Sequence, residues 1–72
     1  MKISIAQQIE EVVREIALRN KVYPRMVATS KMRQSVADYH IERIAAVRQT
    51  LEWLQENEEK IKAALAPKSE AA

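Results

Sequence analysis

The chain of 72 residues contains no cysteine, no glycine and no phenylalanine, and only two prolines. Each absence closes a route. Without cysteine there is no disulfide and no thiolate chemistry, which fits a reducing compartment. Without glycine neither a dinucleotide-binding turn nor a glycine-rich phosphate loop can be built, and glycine-dependent tight turns are nearly excluded. Three aromatics, Tyr23, Tyr39 and Trp53, and few β-branched runs leave little from which to make a sheet. No apolar run approaches the ~20 residues of a membrane span, and no signal-peptide core is visible. The expected location is therefore the cytoplasm, with no membrane partner. A chain this short makes at most one domain, whose core is marginal for a monomer.

What is present favours helix. Alanine, glutamate, glutamine, arginine and lysine dominate. From Ala37 onward an unbroken seam runs at spacings of three and four: Ala37, His40, Ile44, Val47, Leu51, Leu54, Glu58, Ile61, Leu65. That is the pattern of one long amphipathic helix facing a partner. A shorter version precedes it, with Ile5, Ile9, Val12, Ile16, Arg19 and Tyr23 in the same alternation. Ser4 followed by Gln7 matches a capping box. Glu10–Arg14, Glu15–Arg19, Glu56–Lys60 and Glu58–Lys62 are i,i+4 pairs, worth a few tenths of a kcal/mol each.

Pro24 disfavours α conformation at Tyr23, so the first helix is expected over about 4–22. Residues 24–28 suit one or two further helical turns packing Met26 and Val27 inward, and the sequence leaves open whether 24–30 is helical. Thr29, Ser30 and Lys31 break the pattern. The second helix starts between Met32 and Ser35 and runs to about Leu65, before Pro67. The expected architecture is all-α: an antiparallel helical hairpin over 1–66, followed by a disordered tail over 67–72. Ile16 is expected near His40, Val12 near Ile44, Ile9 near Val47 or Leu51, and Ile5 near Leu51 or Leu54. Ile61 and Leu65 then have nothing opposite them. Two such hairpins pairing as a four-helix bundle would cover the open faces, with Val13, Leu18, Ile41 and Trp53 in the second interface.

Charge is uneven along the chain. Between Arg14 and Arg33 six basic residues face one acid, Glu15; between Leu51 and Lys60 four acids face one base. The turn end of the hairpin is therefore basic, through Lys21, Arg25, Lys31 and Arg33, and the other end acidic. These four cations form a candidate nucleic-acid surface. The plainer alternative is a solvated surface that also neutralises carbonyls at the first helix's end, near residues 19–22. A formal net charge of +2 is modest for a nucleic-acid binder, and no zinc-finger, basic-zipper or RNA-recognition signature is present.

Catalysis has little to stand on. His40 is the single histidine and lies on the seam, where it is expected to hydrogen-bond Glu15 or Arg19 across the hairpin. One imidazole supplies neither a metal site nor a general base without partners. Asp38 and Glu42 share a face that excludes His40, and no Glu-x-x-His motif occurs. No catalytic residue, cofactor or metal ligand is expected, and the protein reads as a non-enzyme. Glu58 on the seam either fixes register or marks where the seam opens to solvent. Tyr39 and Trp53 are the best binding anchors, because aromatics dominate interface hot spots. With the unpaired Ile61 and Leu65 they make up the candidate partner-binding set.

The stretch Arg14–Arg19, followed by Val22-Tyr23-Pro24-Arg25 with Val27, Lys31-Met32, Ala37, Ile41, Ala46-Val47 and Thr50-Leu51, resembles a group of short proteins encoded in bacteriophages and prophages. The resemblance covers about residues 14–54, with Val-Tyr-Pro its most specific element. Those proteins commonly carry glycine where this chain has Ser30, which implies a connector built differently from theirs. The resemblance implies a viral origin and a host-cell cytoplasmic location, and it carries over no catalytic residue. Joined to the residue pattern, it leads to an expected small interaction protein that dimerises and modulates a host or phage protein, a host defence component among the candidates. A small nucleic-acid-associated protein using the basic turn is the alternative.

Overall fold

The computed structural model describes residues 2–66, which form three helices: α1 (Ile5–Ala28), α2 (Gln34–Glu56) and α3 (Glu58–Leu65). No strand occurs among the described residues, in keeping with the all-α class. The expected disordered tail, 67–72, lies outside the described residues.

α1 begins at its capping box. The Gln7 amide donates to Ser4 Oγ at 3.1 Å, and the Ser4 amide donates to Gln7 Oε1 at 2.9 Å. Two of the amides orphaned at a helix start are thereby satisfied. The expected stop at Tyr23 does not occur. α1 runs straight through Pro24 to Ala28, so residues 24–28 are its last turns and no separate piece. Proline in a helix interior costs about 3 kcal/mol, because its missing N–H leaves the carbonyl four residues back, here Asn20, without a partner. Continuing the helix offsets this by carrying Tyr23 and Val27 onto the same groove as Ala37 and Gln34 of α2. It also moves the C-terminus, so the basic residue in the last turn is Arg25, not a residue among 19–22.

The connector closes α1 with a Schellman motif. The Lys31 amide donates to the Met26 carbonyl at 2.8 Å and the Ser30 amide to the Val27 carbonyl at 3.0 Å. This geometry needs a left-handed residue between them, and Ser30 supplies it with φ 60°. The absence of glycine therefore does not change the turn; it puts a serine where glycine is the easier choice. Thr29 Oγ1 adds a bond to the Arg25 carbonyl at 2.9 Å. α2 then starts at Gln34, inside the expected interval, with no side-chain cap at Arg33.

The long second helix is interrupted once. Asn57 has φ −105° and ψ 7°, outside helical values, and separates α2 from α3. Its Nδ2 donates to the Trp53 carbonyl at 2.8 Å, as asparagine does when its amide competes for a helix carbonyl. Backbone bonds nevertheless cross the junction on both sides, Asn57 to Trp53 at 3.0 Å and Ile61 to Asn57 at 2.9 Å. Glu58, which follows the break, is half-buried, pairs with Lys62 at 3.5 Å and sits in the first turn of α3, where an acidic side chain suits the helix dipole.

α1 packs on α2, while α1 and α3 do not touch. Arg19 anchors the packing: its Nε pairs with Glu15 at 2.8 Å, and its Nη1 donates to the His40 carbonyl at 3.1 Å. The partner on α2 is thus the His40 backbone; the imidazole instead lies against the Tyr39 ring, with centroids 5.6 Å apart. Arg19 beside His40, and Val27 beside Gln34, set the register. Ile16 comes level with Ile44 instead of His40, one helical turn from its expected place, because α1 ends a turn and a half later than Pro24 suggests. Val12 moves the same way, whereas for Ile9 and Ile5 this register agrees with the second of the two expected partners, Leu51 and Leu54. Of the surface ion pairs, Glu15–Arg19 and Glu58–Lys62 form; Arg14 turns to Glu11, not Glu10, Glu56 and Lys60 do not pair, and Arg48–Glu52 forms at 3.2 Å.

The seam positions of α1, from Ile5 to Tyr23, are all half-buried. Ile41, expected at a second interface, instead lines the α1–α2 groove. Val47, expected on the seam, is 46% exposed. Among the described residues Ala37 alone is fully buried, at 3%. The radius of gyration is 18.0 Å, whereas a compact domain of this length has about 11 Å. A single layer of two helices half-covers its apolar stripes and encloses nothing.

Candidate interaction surface

Exposed large apolar side chains occur on every helix, among them Val13 and Leu18 on α1 and Leu65 on α3, and three of them share one face of α2. On α2, Val36, Tyr39 and Trp53 are all exposed, the two aromatics at 55% and 57%. Arg43, Ala46 and Thr50, also exposed, fill the intervals between them. Val36, Tyr39, Arg43, Ala46, Thr50 and Trp53 follow spacings of three and four throughout. They form a second stripe, each member one residue ahead of the seam that meets α1, and so turned about 100° away from it.

Tyr39 is held in place locally. The Arg43 guanidinium carbon lies 5.2 Å from its ring centroid, a cation–π arrangement that orients both side chains. Trp53 borders a shallow depression of about 420 Å³ that it shares with Ala46, Gln49 and Thr50. Tyr39 and Trp53 are fourteen residues apart on one helix, a rise of roughly 21 Å. Two anchors at that separation suit a long apposed surface, not a small ligand.

Ile61 and Leu65 are on α3, which α1 does not reach. Ile61 is half-buried and Leu65 is 77% exposed. They continue the first seam, whereas Tyr39 and Trp53 occupy the second stripe. The four residues of the expected partner-binding set are therefore divided between two faces and are not brought together into one site. Val36, Arg43 and Thr50 are missing from that set; the signal that finds them is the same three-four spacing read one residue earlier.

The basic set is brought together. Lys21 and Arg25 lie on the last turns of α1, Lys31 in the connector and Arg33 at the start of α2. All four are exposed, and among the described residues none of them is in an ion pair. Beside them an open groove of about 480 Å³ separates α1 from α2, with Asn20 and Pro24 on one wall and Asp38 and Ile41 on the other. Gln34 Nε2 donates to Asp38 Oδ1 at 2.9 Å, which holds that wall.

Among the described residues no group of three or more histidine, aspartate or glutamate side chains is placed to hold a metal ion, and no helix is long and apolar enough to cross a membrane. The site that the geometry builds is a surface. Comparison of the chain with protein-family models, with curated proteins and with solved structures gives no match.

Proposed function

We propose that the chain is a non-catalytic, phage-encoded interaction protein: an antiparallel helical hairpin that pairs with a second copy as a four-helix bundle and binds and modulates a host or phage protein, with host defence components among the candidate targets. One observation carries the reading. Among the described residues a single alanine is fully buried, and Tyr39, Trp53 and Leu65 are more than half exposed. Aromatic and large aliphatic side chains held open on rigid helices are what hot spots are made of. Apolar exposure on this scale marks an interaction site in a soluble protein. The phage origin rests on the Val-Tyr-Pro resemblance and adds the class of target.

The test is affinity capture from host lysate with the chain and with an Ile61→Asp, Leu65→Asp variant. A protein retained by the first and lost by the second supports the reading. Capture of nothing beyond background by either overturns it. Ile61 and Leu65 lie outside the α1–α2 contact, so the variant leaves that packing intact.

The four free cations at the turn favour a second reading, a small nucleic-acid-associated protein. Binding through them would weaken steeply with salt, and Arg25→Ala with Arg33→Ala would lower the slope of log affinity against log salt by about two. Absence of binding to duplex DNA or RNA at low salt removes this reading.

A further inference from the structure

We infer that the outer stripe of α2 docks on the same stripe of a second copy, the two helices antiparallel and crossing at Ala46. This rests on the proposed self-association and specifies its face and direction. The chain exposes 6153 Å², while a globular monomer of its 8.3 kDa mass exposes about 4,600 Å². The difference of roughly 1,500 Å² is spread over the elongated molecule, and a face of the ~800 Å² per partner that a stable interface covers is about half of it. There is surface enough for a second copy.

Symmetry selects how it docks. A two-fold axis through Ala46 brings residue n of one copy level with residue 92 − n of the other. Tyr39 then meets Trp53 of the second copy, twice, at the positions where the stripe is widest. The smallest side chain of the stripe lies at the crossing, where the helices approach most closely. Arg43 falls beside Gln49 and Thr50. Arg33 falls level with Glu59, one pair of opposite charges at each end of the contact, and Val36 falls level with Glu56. A parallel, in-register pair instead sets Arg43 on Arg43, Arg33 on Arg33, and the four acids from Glu52 to Glu59 on their own copies. Like charges placed together in this way are penalised across an interface. Charge and shape agree only in the antiparallel arrangement.

The chain has no cysteine of its own, so single-cysteine variants report the geometry without background. Ala46→Cys and Val36→Cys are oxidised at tens of micromolar, after circular dichroism confirms that both are helical, and run on a non-reducing gel. Sedimentation of the unmodified chain is measured at the same concentration. The expected result is a dimer in sedimentation, a covalent dimer from Ala46→Cys, and none from Val36→Cys, whose two copies are some twenty residues of helix apart. Tyr39→Ala with Trp53→Ala weakens the dimer about tenfold or more. A dimer that crosslinks at both positions is parallel and overturns this inference while leaving self-association standing. A dimer that crosslinks at neither uses another face, with the same consequence. A monomer at tens of micromolar overturns both.

Discussion

Replacing Ser30 by glycine is expected to stabilise the protein. Ser30 sits at φ 60° and holds the turn in which Lys31 and Ser30 donate to the Met26 and Val27 carbonyls. An L-residue with a side chain at this φ costs roughly 1–2 kcal/mol, from the approach of Cβ to its own backbone. Glycine removes that cost and adds back roughly 0.5–1 kcal/mol in backbone entropy lost on folding. The net gain is about 1 kcal/mol, since Ser30 is exposed and its hydroxyl makes no hydrogen bond among the described residues. For a chain of this size that corresponds to a rise in Tm of about 4–8 °C. Thermal melts followed at 222 nm check it, run at one fixed protein concentration because assembly also shifts Tm. A short series sharpens the comparison. Asparagine tolerates the left-handed region and should fall between serine and glycine, while a β-branched valine should fall below serine. A glycine variant that melts lower than the parent, or a valine variant that melts the same, would refute a left-handed Ser30 and with it the Schellman closure of α1.

Three further outcomes are expected. Pro24→Ala restores a donor to the Asn20 carbonyl and should raise stability by about 1–3 kcal/mol with a gain in helical signal, read by urea denaturation; a loss of stability would mean that the ring's packing in the groove outweighs the missing bond. Arg19→Ala removes the one side-chain bond from α1 to the α2 backbone and should cost about 1.5–3 kcal/mol, with Arg19→Lys recovering only part, because an ammonium does not serve Glu15 and the His40 carbonyl in the same planar fork; equal stability of lysine and arginine variants would sink this assignment. Asn57→Ala should fuse α2 and α3, seen as helical carbon chemical shifts running unbroken from 54 to 60, with a gain of a few tenths of a kcal/mol; a persistent break would place its cause elsewhere than in the Asn57 side chain.

Helix starts are readable in this sequence because their chemistry is local. Ser4 and Gln7 announce a cap whatever the rest of the chain does, and the apolar spacing from Ile5 to Tyr23 selects the face that α1 buries. The end of α1 is not readable in the same way. Pro24 argues locally for a stop, and the packing of Tyr23 and Val27 against Ala37 and Gln34, which argues for continuing, involves residues seven to fourteen positions away. That difference shifts the expected partners of Ile16 and Val12 by about a turn, which brings Ile16 level with Ile44. The break at Asn57 has a local signal, a poor helix former with a carbonyl-seeking amide, but the seam of apolar residues on either side hides it. At the candidate surface, Tyr39 and Trp53 stand out by residue type alone. The stripe that joins them through Val36, Arg43 and Thr50 becomes visible only once the face meeting α1 is known, and what covers it is written in no single copy of the chain.

The lone buried alanine has a consequence for how much of this protein a cell can hold. Among the described residues only Ala37 is fully buried, so the folding free energy held in the interior is small, and a partner that bound and covered the folded form, as proposed, would raise the folded fraction by mass action. Copies that find no such cover remain substrates for housekeeping proteases, and copies that find it are spared. On the proposed function, lifetime would then be a readout of encounter: the steady-state level of the chain should rise when the proposed surface is occupied, without any change in its synthesis.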